Sequence, residues 1–157
     1  MLQFTVKGIA LDNENQLPIV ILQSQNTNSI IPLIIGPFEA SAIIIEIEEV
    51  KPPRPLTHDL LSEFFIKHNY KLSYMYLYDF INDNYIAKLV YKKGFKTYSL
   101  EIRPSDGIAL ALRLNAPIYA SEKVAETATS DSNLLEENYY QSDILYLNHE
   151  NVGAHLM

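Results

Sequence analysis

PSDGIALALRLN, Pro104 to Asn115, is the stretch on which the fold turns. Its alanine and leucine content suits a helix, its proline suits the first helical position, and Asp106 then meets the positive helix end. Displaced by 67 residues, IALDNENQLPIVILQSQNTNSIIPLIIGPFEASAIIIEI (9–47) lies without a gap over YLYDFINDNYIAKLVYKKGFKTYSLEIRPSDGIALALRL (76–114). Identities are few, among them Asp12 with Asp79, Pro37 with Pro104 and Ala42 with Ala109. Each half nevertheless reads as three apolar-rich strands separated by polar turns, then a proline, an acid two residues later and an apolar run. SAIIIEIEEV alone is ambiguous, because three isoleucines in a row favour a strand. Its counterpart decides for a helix. The expected fold is α+β: a three-stranded antiparallel meander followed by a helix, present twice as pseudo-repeats over about 4–48 and 71–115.

The turns agree with this reading, since DNENQ and INDN supply Asn and Asp for tight hairpins and KKG supplies a glycine. Between the halves, EEVKPPRPLTHDLLSEFFIKHNY begins with prolines that enforce an extended connection. Thr57 is then expected to cap a helix running to about His68, with Leu60, Leu61, Phe64 and Phe65 as its core-facing stripe. After the second half, NAPIYAS reads as a short strand and SEKVAETA as a short helix. The organisation expected is one domain over 1–125 and a weakly structured tail over 126–157.

Composition fits a folded domain. Of the 157 residues, 48% are apolar and 20% charged, and there is no cysteine, so disulfides and thiolate metal sites are excluded. No stretch reaches the roughly 20 apolar residues of a membrane span, and no leader pattern opens the chain, which makes the cytoplasm the simplest compartment. A net charge of −7 disfavours a broad grip on phosphate backbones, so a nucleic-acid ligand requires a local basic patch.

Three segments, PLIIGPFEASAI, RPLTHDLL and RPSDGIALALRLNAPIY, resemble in content and order the signatures of the bifunctional nuclease family, small bacterial and plant-organelle domains credited with cleaving DNA and RNA. The resemblance covers about residues 4–125. It departs at Gly107, where the family usually has alanine. It implies a nuclease of low sequence specificity with nucleic acid as its partner, and no organic cofactor.

Phosphodiester cleavage needs positive charge on the phosphate, a base, an acid and often divalent ions on carboxylates. Arg54 and Arg103, two of only three arginines in the chain, are the candidate clamps. His58 is the candidate base, at a helix start that favours neutral imidazole, with Asp59 beside it. Thr57 and Ser105 are candidate phosphate donors. Glu39 and Asp106 are the candidate ligands of a magnesium or manganese ion if they converge.

Each residue also has a plainer role. Thr57 suits an N-cap, Glu39 and Asp106 suit capping-box positions, and Arg103 can pair with Asp106 or with a carboxylate of the other half. The alternative function is thus a non-catalytic binding or regulatory domain whose polar residues cap helices and cross-link the repeats. Tyr74, Tyr76 and Tyr78 alternate along one strand face, which reads as sheet packing or a subunit contact rather than a base-stacking platform. Lys88, Lys92, Lys93 and Lys96 read as a solvated hairpin rim. Exposed meander edges fit burial in a two-fold homodimer.

Overall fold

Tight turns at Asn82–Asp83 and Gly94 set the second half of the sheet. Asn82 and Asp83 both have positive φ, 51° and 61°, in a two-residue hairpin loop between the paired Ile81 and Asn84, as this turn class requires. Gly94, at φ 59°, plays the same part between the next two strands. The computed structural model describes residues 1–12 and 16–128. Most of DNENQ and of the expected tail therefore lies outside the described residues.

The strands are β1 (Leu2–Leu11), β2 (Pro18–Ser24), β3 (Ile30–Ile34), β4 (Lys71–Ile81), β5 (Asn84–Lys93), β6 (Lys96–Ile102) and β7 (Ile118–Ala120). The helices are α1 (Pro37–Ile47), α2 (Thr57–Lys67) and α3 (Pro104–Arg113), with a further helix, α4, over residues 122–128. The fold is α+β. α4 crosses the expected boundary at 125 and buries Val124, Ala125 and Ala128.

All seven strands form one sheet in the order β3-β2-β1-β7-β4-β5-β6. β1–β2–β3 and β4–β5–β6 are antiparallel meanders, and β7 joins them, antiparallel to β1 and parallel to β4. β7 was legible as a strand, but its place at the centre of the sheet was not.

Helices cover one sheet face. Met75 pairs with both Leu89 and Ile118, and Leu77 with Ala87, and all of these are buried. α1 and α3 pack on each other above them, and α2 packs against α3. Ile43, Ile44 and Ile45 are each at most 2% exposed, so the isoleucine run that favours a strand by propensity is held as helix by burial on nearly every side.

α2 differs from expectation twice. Thr57 is its first helical residue, not its cap; Leu56 stands at the cap, and its N–H donates to Asp59 Oδ2 at 2.9 Å. The expected core stripe also fails. Phe65 is buried, whereas Leu60, Leu61 and Phe64 are 64%, 39% and 52% exposed. The helix lies at the rim of α3 and turns inward the narrow row His58, Ser62 and Phe65, at i, i+4 and i+7, with Asp59 half-buried beside it. Leu60 and Phe64 lie more than a quarter turn from that row at 3.6 residues per turn.

Gly107 has a packing reason beyond helix propensity. A Cβ there would stand 2.6 Å from Ile102 Cδ1 and 2.8 Å from Met75 Cγ, and Met75 is fully buried. Alanine would gain about 1 kcal/mol of helix propensity, against an overpacking cost of about 1–3 kcal/mol. Gly107→Ala is therefore expected to lower the urea unfolding free energy by about 1 kcal/mol, and a stabilised variant would show that Met75 yields freely.

Candidate active site

The sheet curls enough for the ends of its two edge strands to face one cavity of about 980 Å3. Pro32 to Gly36 line it from the β3 side, Glu101 to Ser105 from the β6 side, and Phe80 and Tyr85 from the β4–β5 hairpin. At this mouth α1 and α3 begin, each with proline in its first turn and an acid two residues on.

Arg103 ties the two helix starts together. Its Nε donates to Asp106 Oδ2 at 2.8 Å, its Nη2 to Asp106 Oδ1 at 3.1 Å and its Nη1 to Glu39 Oε1 at 2.9 Å. Glu39 can fold back to meet it because residue 36 is glycine: a Cβ there would overlap the Glu39 carboxylate. His58 reaches the same acid from α2, with Nε2 2.9 Å from Asp106 Oδ1. Burial would raise the Asp106 carboxyl, but hydrogen bonds from Arg103 and His58, with their charges, outweigh it and hold the group below the usual carboxylate range. Asp106 is thus ionised at neutral pH. In the neutral form of the imidazole, an Nε2 proton shared with Asp106 leaves Nδ1 as the acceptor.

Asp59 points elsewhere. Its Oδ1 accepts from Arg113 Nε at 2.7 Å, while Arg113 Nη1 donates to the Ala109 carbonyl at 2.9 Å. Burial would raise the Asp59 carboxyl, yet the Leu56 N–H and Arg113 together lower it. The Arg113 side chain is 3% exposed, and among the described residues its Nη2 has no hydrogen-bond partner. This third arginine, with Gly36, is what the sequence reading missed. Arg113 was marked only by the rarity of arginine and, like Gly36, by membership of a signature segment.

His58, Asp106, Arg103 and Glu39 are therefore brought together, and Ser105 lies buried in the cavity wall beside them. Thr57 and Arg54 are exposed. Arg54 makes no ion pair among the described residues and lies in the proline-bounded stretch before α2. The expected metal ligands, Glu39 and Asp106, do not fit a cation as they stand, since Arg103 holds both; Asp59 is held by Arg113. Among the described residues no cluster of three or more His, Asp or Glu side chains could hold a metal ion.

This is an α+β domain with a histidine–carboxylate–arginine cluster at the mouth of a cavity. A family model described as "Bifunctional nuclease domain" matches residues 20–133, and the chain belongs to that family. It is 35% identical over 123 residues to an uncharacterized protein of Mycobacterium tuberculosis, covering 78% of this chain and 73% of that one. Bifunctional nuclease 1 of Oryza sativa subsp. japonica is 23% identical over 110 residues, 68% of this chain but 33% of the plant protein. The namesake from Arabidopsis thaliana is 24% identical over a similar span, 34% of its length.

Two measurements check the electrostatics. A depressed carboxyl stabilises the fold above its unfolded value, near 3.9 for Asp, and that contribution is lost as pH falls through the folded value. The melting temperature is expected to drop below about pH 4, and Asp106→Asn to flatten the drop. Asp59→Ala leaves the Arg113 guanidinium buried without its carboxylate, for which a loss of about 3 kcal/mol is expected in urea unfolding; an unchanged midpoint would show the pair to be idle.

Proposed function

We propose that this chain is a nuclease that hydrolyses phosphodiester bonds in DNA and RNA with low sequence specificity. The observation that carries the reading is the contact between His58 Nε2 and an ionised Asp106. It orients the ring so that Nδ1 takes a proton from an attacking water, and the imidazolium formed can return that proton to the leaving oxygen. Family membership and the names of the plant relatives support the substrate class.

Arg103 has five N–H donors, three of which are used on Asp106 and Glu39. Its side chain is 64% exposed, and the remaining two donors suit an anionic phosphate oxygen, where charge grows in the transition state. Arg54 adds a second cation on the α2 side, and Ser105 and Thr57 add hydroxyl donors. Asp59, through the Leu56 N–H, fixes the start of α2 and hence the aim of His58. Glu39 and Asp106, the carboxylates that would hold a divalent ion, are both paired with Arg103.

A second reading has its own observation. Arg103 joins Glu39 of one half to Asp106 of the other, which suffices for a non-catalytic domain whose polar residues lock the halves together. We also read the two meander-helix units as copies of one ancestral unit; the ungapped alignment and the matching first turns of α1 and α3 support this.

The readings separate in one variant series. Wild type, His58→Ala and Arg54→Ala, purified in parallel, are assayed on single-stranded DNA and on RNA. Cleavage is expected to fall by about 10²-fold or more in His58→Ala, the typical scale of a lost general base, and to weaken in Arg54→Ala. Equal cleavage in wild type and His58→Ala removes the role of the base. Wild type without cleavage leaves the cross-linking domain.

A further inference from the structure

The sheet face turned away from the helices carries a row of rings. Tyr76 pairs in register with Lys88 and with Tyr119, Tyr74 pairs with Val90, and Lys71 with Lys92. All of these side chains share that face, opposite Met75, Leu77, Ala87 and Leu89. Ring centroids step from Tyr119 to Tyr74 at 5.7 Å, Tyr74 to Tyr76 at 6.4 Å and Tyr76 to Tyr78 at 6.2 Å. All four tyrosines are half-buried, each leaving part of its surface to solvent. Lys88 Nζ sits 5.7 Å from the Tyr76 centroid and 5.0 Å from that of Tyr78.

The row runs toward the cavity. Tyr78 Oη donates to Glu101 Oε2 at 3.1 Å, and Glu101 lines the cavity together with Arg103. The charge of this face departs from that of the chain. Against a net charge of −7 overall, Lys71, Lys88 and Lys92 stand here with Glu101 as the opposing acid, and Asp79 at the end of the row is paired with Lys123. This is the local basic patch that a nucleic-acid ligand requires of an acidic chain. The same lysines oppose a two-fold contact through this face, where they would confront their own copies.

We propose that the row Tyr119, Tyr74, Tyr76 and Tyr78 is a track for single-stranded DNA or RNA, with bases on the rings and phosphates along Lys71, Lys88 and Lys92, leading the strand to the cavity before Arg103. This rests on the nuclease reading and names how its substrate is held. Stacking on tyrosine is sequence-tolerant and needs no 2′-hydroxyl, so one track serves both nucleic acids. A duplex, whose bases are already stacked, gains only the lysine contacts.

Binding is measured apart from cleavage, by fluorescence anisotropy of labelled oligothymidylate and oligouridylate of about twenty nucleotides, in wild type and in the His58→Ala background. Both oligonucleotides are expected to bind more tightly than a duplex of equal length. Tyr76→Leu is expected to weaken binding about tenfold, the scale of one lost base stack. Lys88→Gln and Lys92→Gln, which leave the rings in place, are each expected to reduce the salt slope by about 0.7. Single-strand binding that survives all three changes overturns the track, as does a chain that binds no single strand. If Tyr76→Leu instead turns a dimer into a monomer in sedimentation while binding is unaltered, the face is a subunit contact and the track is likewise overturned. Loss of cleavage in His58→Ala with binding intact supports both readings, and binding by a chain that never cleaves supports the track while the nuclease falls.

Discussion

One guanidinium holds the two halves of the site in register. Arg103 leaves β6 at the point where α3 begins, grips the acid of that first turn and reaches across to the acid of the first turn of α1. The edge strands β3 and β6 are the most distant neighbours in the sheet order, yet this contact brings their ends to one cavity. His58 enters only because Asp106 offers it an oxygen that Arg103 does not monopolise. With the Arg103 side chain 64% exposed, its ion pairs give little net stability. Their value here is geometric, since they fix which side chains face one another.

Much of this was legible because local chemistry and global fold agree. Proline followed by an acid marked both helix starts, Asn82 and Asp83 marked a turn that needs two positive φ values, and alternation placed Tyr74, Tyr76 and Tyr78 on one face. A pairing of Arg103 with Asp106 or with a carboxylate of the other half stood among the sequence alternatives, and the structure has both. What could not be read was long-range. The central position of β7 depends on chain reversal after α3, and the narrow inward row of α2 depends on where that helix rests. Four large apolar residues in a helical pattern say that a stripe exists, but only packing decides which of them it covers. The pairing of Asp59 with Arg113 spans 54 residues, beyond any periodicity.

The two acids adjacent to the histidine site differ in service. Asp59 is spent on architecture, satisfying a buried arginine and the Leu56 amide, whereas Asp106 shares its oxygens between an exposed arginine and the imidazole. Neighbouring signature residues therefore divide between building α2 and aiming His58. That division explains why an RPLTHDLL segment combines, in consecutive positions, an acid that holds Arg113 and a histidine that reaches Asp106.

The place of β7 bears on how the chain reaches its fold. Each meander is built from strands adjacent in sequence and can form with little loop-closure cost. The seam between them is a three-residue strand, Ile118–Ala120, the last in sequence among the described residues. Until residues 118–120 have been made, β1 and β4 lack the strand that joins them in the sheet. The sheet is thus completed from its middle, and the interval before that is when its edges stand unguarded.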